Sequence, residues 1–222
     1  MGSHYSTESQ VPFFSKDFSE SLVAKESTGS SGAENYINPS ELGKSLPNPF
    51  RCSILSDEPL TGHEIWFDKP DGRKTKRVAA GGYPSDQLLA EYEAQIGAKV
   101  AFEVDFETRE PTDRKAIKKC AAFFVYDYEA EAVKVLSYTQ VSLLRDIDRQ
   151  TADPDFEDLA AWDLEIVKNL SPKVSYAANM KPSLRKKDKA VAAKVDAAWK
   201  AAKDGGADIW RLTDGGNPFS AK

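Results

Sequence analysis

The chain has few of the residues that enzyme chemistry usually draws on. Its 222 residues include two cysteines, two histidines and two methionines. Cys52 and Cys120 fall in strand-like runs without metal-ligand spacing, which predicts two buried thiols in a reducing compartment. His4 and His63 lie too far apart in sequence to suggest a zinc pair or a catalytic base. There is no GxxxxGKS or GxxxxGKT, no GxGxxG opening a helix after a strand, no HExxH and no GxSxG. No apolar run approaches the roughly 18 residues of a membrane helix, and the N-terminus has no signal-peptide pattern. A cytoplasmic, non-enzymatic protein with no cofactor and no membrane partner is therefore expected.

One acidic cluster tests that expectation. Asp153, Asp155, Glu157, Asp158 and Asp163 could hold magnesium for phosphoryl chemistry, which makes a metal-dependent nuclease the weakest of three hypotheses. The cluster lacks the glycine and spacing of a calcium loop, and acidic runs after a helix are usually solvated.

Charge is unevenly distributed. The net charge of -5 hides three basic stretches. Lys69 to Arg77 has five basic residues and one acidic, Arg109 to Lys119 five and two, and Lys181 to Lys203 eight and two. Arg145 to Glu165 has two basic and eight acidic. The first two basic stretches sit at or beside predicted hairpin tips that also carry aromatics.

At 41% hydrophobic, the chain can bury one full core plus tails. Residues 1–34 are serine-rich and include Ser27-Thr28-Gly29-Ser30-Ser31-Gly32, a flexible arm by composition. Within it Phe14, Phe18 and Leu22 recur at i, i+4 and i+8, a short apolar stripe suited to a partner surface. The body, 35–183, reads mostly as strands: Phe50 to Leu55, His63 to Asp68, Arg73 to Ala79, a half-buried strand carrying Val100, Phe102, Val104 and Phe106 inward, Trp162 to Val167, and Val174 to Met180. Helices are expected after Ser85 as far as Gly97, after a Thr139 cap with Leu143, Leu144 and Ile147 inward, and over Lys186 to Lys203 with Val191, Val195 and Trp199 on one stripe. Residues 184–222 form that last helix and a tail.

Two hairpins carry the candidate site. Asp71-Gly72 as a two-residue turn would set Trp66 opposite Arg77, with Ile65 and Val78 inward. A longer loop would shift this register by one. A turn centred on Ala130-Glu131 would set Asp127 opposite Lys134 and Tyr126 opposite Val135. Alternation then puts Phe124, Tyr126 and Tyr128 on one face and Phe123 and Val125 on the other; one face builds the core and the other is an aromatic stripe in need of a partner, and alternation alone does not say which. An aromatic stripe beside basic loops suits the stacking of unpaired bases while phosphates are neutralised. The expected contacts are Trp66, Arg73, Lys74, Lys76, Arg77, Arg114, Lys115, Lys118, Lys119, Phe124, Tyr126 and Tyr128.

The aromatic hairpin ending in Val135-Leu136-Ser137-Tyr138-Thr139-Gln140, the connection Asp153-Pro154-Asp155-Phe156 and Trp162-Asp163-Leu164-Glu165-Ile166 together resemble phage-type replication single-stranded DNA-binding proteins. The resemblance covers roughly Tyr36 to Ser183, and the C-terminal helix ending in Gly215-Gly216-Asn217-Pro218-Phe219 is similar as well. It implies a mainly β, α+β chain: an OB-fold-like antiparallel barrel elaborated by extra hairpins. It also implies coating and protection of single-stranded DNA in replication and recombination, with little sequence preference. Replication or recombination proteins, through Pro218 and Phe219, are the partners this class suggests, whereas docking on neighbouring protomers is expected from the Phe14, Phe18 and Leu22 stripe on its Ser/Gly linker alone. Unlike the acidic Pro-Phe tails of bacterial counterparts, Pro218-Phe219 is followed by Ser220-Ala221-Lys222. Some members of this functional class bind zinc, for which this chain has no ligand set. A non-catalytic interaction scaffold or replication accessory factor is the main alternative.

Overall fold

A computed structural model describes residues 35–105 and 107–219. It is mixed α+β and mainly β, with strands β1 (Tyr36–Ile37), β2 (Phe50–Ile54), β3 (Leu60–Asp68), β4 (Lys74–Ala80), β5 (Lys99–Val100), β6 (Phe102–Val104), β7 (Pro111–Lys115), β8 (Ile117–Asp127), β9 (Ala132–Tyr138), β10 (Trp162–Asn169) and β11 (Ser175–Pro182). The α-helices are α1 (Asp86–Ile96), α2 (Val141–Thr151), α3 (Leu184–Lys187) and α4 (Lys189–Asp204). None of the described helices is long and apolar enough to cross a membrane.

Nine strands form one sheet whose main path runs β1-β9-β8-β2-β10-β11, while β6 and β7 pair apart from it. Strand β8 organises the sheet. One of its edges takes β9, and the other takes β2 near its C-terminal end and β3 along its N-terminal half. Beyond β3 lie β4 and β5. Among the described residues no pairing closes this path into a barrel. The outer edge of β11 is met by α2: Tyr176 N donates to Ser142 Oγ at 3.3 Å and Ala178 N to Asp146 Oδ2 at 3.2 Å. Side chains on α2 thus satisfy an edge that would otherwise invite another strand.

Alternation along β8 divides the apolar residues between two cores. Phe123 and Val125 join Phe50, Leu136, Leu144 and Ile166 on the face that α2 covers. Cys120, Phe124 and Tyr126 form a second cluster with Val195 of α4 and Ile209. A third packs α1 residues, including Leu89, on Ile65, Phe67 and Ala79. The sides of β8 and the stripe on α4 agree with the sequence expectation. Cys52 and Cys120 are buried free thiols in different clusters. Helix α1 is bounded as expected, with Ser85 Oγ accepting from Leu88 N at 3.2 Å and Gly97 in the left-handed region. Helix α2 departs from expectation in starting after Gln140 rather than Thr139, with no side-chain cap.

Both hairpins pair differently from the two-residue turns inferred. The β3–β4 loop spans 69–73, so Trp66 faces Lys76 and Ile65 faces Arg77, a shift of one. The β8–β9 loop spans 128–131, so Tyr126 faces Val133 and Phe124 faces Val135, a shift of two that keeps every side chain on its expected face. Asp127 and Lys134 still meet at 2.9 Å, as diagonal neighbours. The strand expected from Val100 onward breaks at Ala101, whose N–H donates to Trp66 O at 2.8 Å and whose carbonyl accepts from Ala116 N at 2.7 Å. Val100 and Ala101 are consequently both buried, and Phe102 and Val104 emerge on the small β6–β7 hairpin at 48% and 51% exposure rather than facing inward.

The C-terminal segment is continuous with the body through Asp163. This fully buried carboxylate accepts from Arg51 Nε at 2.9 Å, Tyr128 OH at 2.8 Å, Ser183 Oγ at 2.9 Å and Leu184 N at 3.0 Å. Four donors from three regions converge on one side chain. Asp163→Ala strands all four and should cost about 3–5 kcal/mol of unfolding free energy, measured by urea denaturation. Tyr128→Phe removes one donor to the carboxylate and should cost less, about 1.5–3 kcal/mol.

Candidate nucleic-acid interface

The expected aromatic stripe is enclosed. Phe124 and Tyr126 are 3% and 2% exposed, and Tyr128 is half-buried with its hydroxyl on Asp163. Burial, with the Asp163 carboxylate adding to it, holds the Tyr128 phenol well above its ordinary value. The cover is the chain's own C-terminus: Trp199 packs on Phe124 with centroids 5.3 Å apart, and Phe219 meets the same ring edge-on at 5.4 Å. Phe124 and Tyr126 are thus core rather than stacking platforms, because α4 supplies the partner that the stripe requires. The same packing corrects Pro218 and Phe219. Pro218 is buried, its carbonyl accepts from Asp208 N at 2.8 Å, and neither residue projects as a recruitment tail.

A smaller aromatic and basic surface remains on the same side of the sheet, beyond the α4 cover. Trp66 and Lys76 lie directly opposite each other on β3 and β4, and the Lys76 ammonium sits 5.6 Å from the indole centroid. Beneath them is Glu64, 6% exposed, which accepts from Trp66 Nε1 through Oε1 and from Lys76 Nζ through Oε2, each at 2.7 Å. Lys118 of β8 stands opposite Glu64 and extends the basic surface across the next strand. Lys74 lies one pleat further out, exposed and 3.4 Å from Asp68. Trp66 is half-buried.

The other expected contacts are dispersed. Arg73 is in the hairpin loop and pairs with Asp71 at 2.6 Å. Arg77 points to the opposite face with Ile65, and its guanidinium lies so close to the C-terminal segment that a Cβ added at Gly215 would come within 2.5 Å of it. Arg114 and Lys115 lie on exposed β7, with Lys115 bound to Asp86 at 2.8 Å. Lys119 faces away from Trp66, opposite His63, and burial lowers its ammonium from its ordinary value. Phe14, Phe18 and Leu22 lie outside the described residues.

The acidic cluster does not converge. Asp153 and Asp158 cap short 3-10 turns, Asp163 is consumed by its four donors, and no group of three or more potential ligands is gathered among the described residues. Sequence reasoning missed Glu64. Its signal was its place two residues before Trp66 in a strand, which puts both on one face. Exposed Tyr83 and Trp210 were also passed over. No family model, curated protein or solved structure matches the chain.

Substitution distinguishes core from platform. Phe124→Ala should lose about 3–5 kcal/mol of stability through the cavity it leaves, while Trp66→Ala, at a half-buried position, should lose clearly less. Thermal and urea unfolding of the two variants would measure the difference.

Proposed function

We propose that the chain binds single-stranded DNA with little sequence preference, as a coating protein of the phage-type replication and recombination class that the sequence resembles. The observation that carries this proposal is the Trp66–Lys76 pair, a half-buried indole with an ammonium over its ring, with Lys74 and Lys118 flanking it. A base stacked on Trp66 would contribute about 1–3 kcal/mol, with phosphates drawn to the lysines.

Connectivity supports an OB-fold framework. The order β9-β8-β2-β10-β11, with α2 between β9 and β10, follows the strand sequence of a five-stranded OB barrel, and β3 to β7 form an insertion. In that correspondence the usual ligand face, on the second and third strands, is the outer face of β8 and β9. Helix α4 covers it here, so the proposed contact moves along the same side of the sheet to β3 and β4. The exposed Phe102 and Val104 favour the second hypothesis, a protein-interaction scaffold.

Oligonucleotide binding against salt separates the two. Oligo(dT) should bind in preference to duplex, Trp66→Ala should weaken it roughly 5- to 150-fold, and Lys74→Ala with Lys76→Ala should flatten the slope of log K against log salt by about 0.7 per lost contact. Equal affinity for duplex, or no binding at low salt, would favour the scaffold.

The arm supplies a separate test. We propose that Phe14, Phe18 and Leu22, spaced at i, i+4 and i+8 ahead of a Ser/Gly-rich sequence, dock on the neighbouring protomer along a strand. Removing residues 1–34 should leave affinity for a one-protomer oligonucleotide nearly intact and reduce cooperativity on long single strands. An unchanged cooperativity parameter would assign the arm another role.

A further inference from the structure

Glu64 is a buried acid on the one sheet surface where a negatively charged strand is proposed to lie. Desolvating a carboxylate is costly unless it is paired and hydrogen-bonded, and both of its oxygens are occupied, one by the Trp66 indole and one by the Lys76 ammonium. Charge-assisted bonds of 2.7 Å to two different side chains fix the indole and the ammonium relative to each other as well as to the sheet. Lys76 and Trp66 are cross-strand partners, so Glu64, two residues before Trp66 on the same face, is where a single carboxylate reaches both.

We propose that Glu64 is the positioning residue of this interface: it orients Trp66 for stacking and withholds part of the Lys76 charge from phosphate. This inference rests on the single-stranded DNA function proposed above. A phosphate approaching Lys76 competes with a carboxylate already in contact, so the contact forms at reduced gain. The interface is thereby weighted toward stacking and away from counterion release, which reduces the salt sensitivity of binding. A carboxylate serving only to stabilise the fold would not couple the salt dependence to Lys76.

The full chain with Glu64→Gln, Glu64→Ala, Lys76→Ala and the double variant Glu64→Gln/Lys76→Ala provides the test, with a short oligo(dT) titrated over a range of sodium chloride. Gln keeps an acceptor for the indole and removes the negative charge. Glu64→Gln should bind severalfold more tightly at low salt, with a slope steeper by up to about 0.7, and the gain should vanish in the double variant. An unchanged slope in Glu64→Gln, or a gain that survives loss of Lys76, overturns the proposal. The hold on the indole is read without DNA, from acrylamide quenching of the Trp66 emission isolated by difference against Trp66→Phe. Glu64→Ala should raise that quenching and Glu64→Gln should not; equal quenching in all three proteins overturns the positioning role. If the wild-type chain ignores oligo(dT) at every salt concentration while the quenching pattern holds, the DNA-binding function fails and the anchor stands.

Discussion

The use of β8 on all four sides governs the rest of the structure. Its edges are taken by β9 on one side and by β2 and β3 on the other, and every residue from Cys120 to Asp127 is buried. A strand with both edges paired needs cover on both faces when both are apolar. Helix α2 belongs to the Phe123 side, whereas α4, Ile209 and Phe219 cover the Phe124 side. The C-terminal segment is therefore a wall of the second core, tied in at its start by Asp163 and at its end by Phe219 on Phe124.

Functional consequences follow from that cover. Aromatic density drew attention to Phe124, Tyr126 and Tyr128, yet density on a central strand serves burial first, since such rings dominate core energetics. Under the proposed function, the surface for a ligand is the part of the sheet that α4 does not reach, where Trp66 is only half-buried. Its cations are also less available than their number suggests: Lys74 and Lys76 each contact a carboxylate, as Arg73 and Lys115 do away from it. Exposed pairs of this kind contribute little to stability and yield readily to phosphate. Lys76 differs because its partner is buried.

Much of the architecture was legible in the sequence, for identifiable reasons. Strand parity in β8 survived a register error of two, because an even slip keeps each side chain on its face, while the single-residue slip at β3–β4 turned Arg77 away from Trp66. Caps with a direct chemical signature, Ser85 and Gly97, were readable. The break at Ala101 was not, because its cause is hydrogen bonding to Trp66 and Ala116, which lie elsewhere in the chain. The double hydrogen bonding of Glu64 to Trp66 and Lys76 needed the β3–β4 register, and the enclosure of the stripe needed the packing of α4; neither is a local property of its own segment.

Hydrogen exchange of the full chain with and without saturating oligo(dT) tests the central claim most directly. The account places the strand on Trp66, Lys74, Lys76 and Lys118, with α4 remaining seated on Phe124. Protection should therefore grow across β3, β4 and the start of β8, while the amides of α4 and of Phe123 to Asp127 keep their free-state rates. Faster exchange throughout α4 on binding, with new protection over β8 and β9, would contradict it, because the strand would then have displaced the C-terminal wall and taken the aromatic stripe.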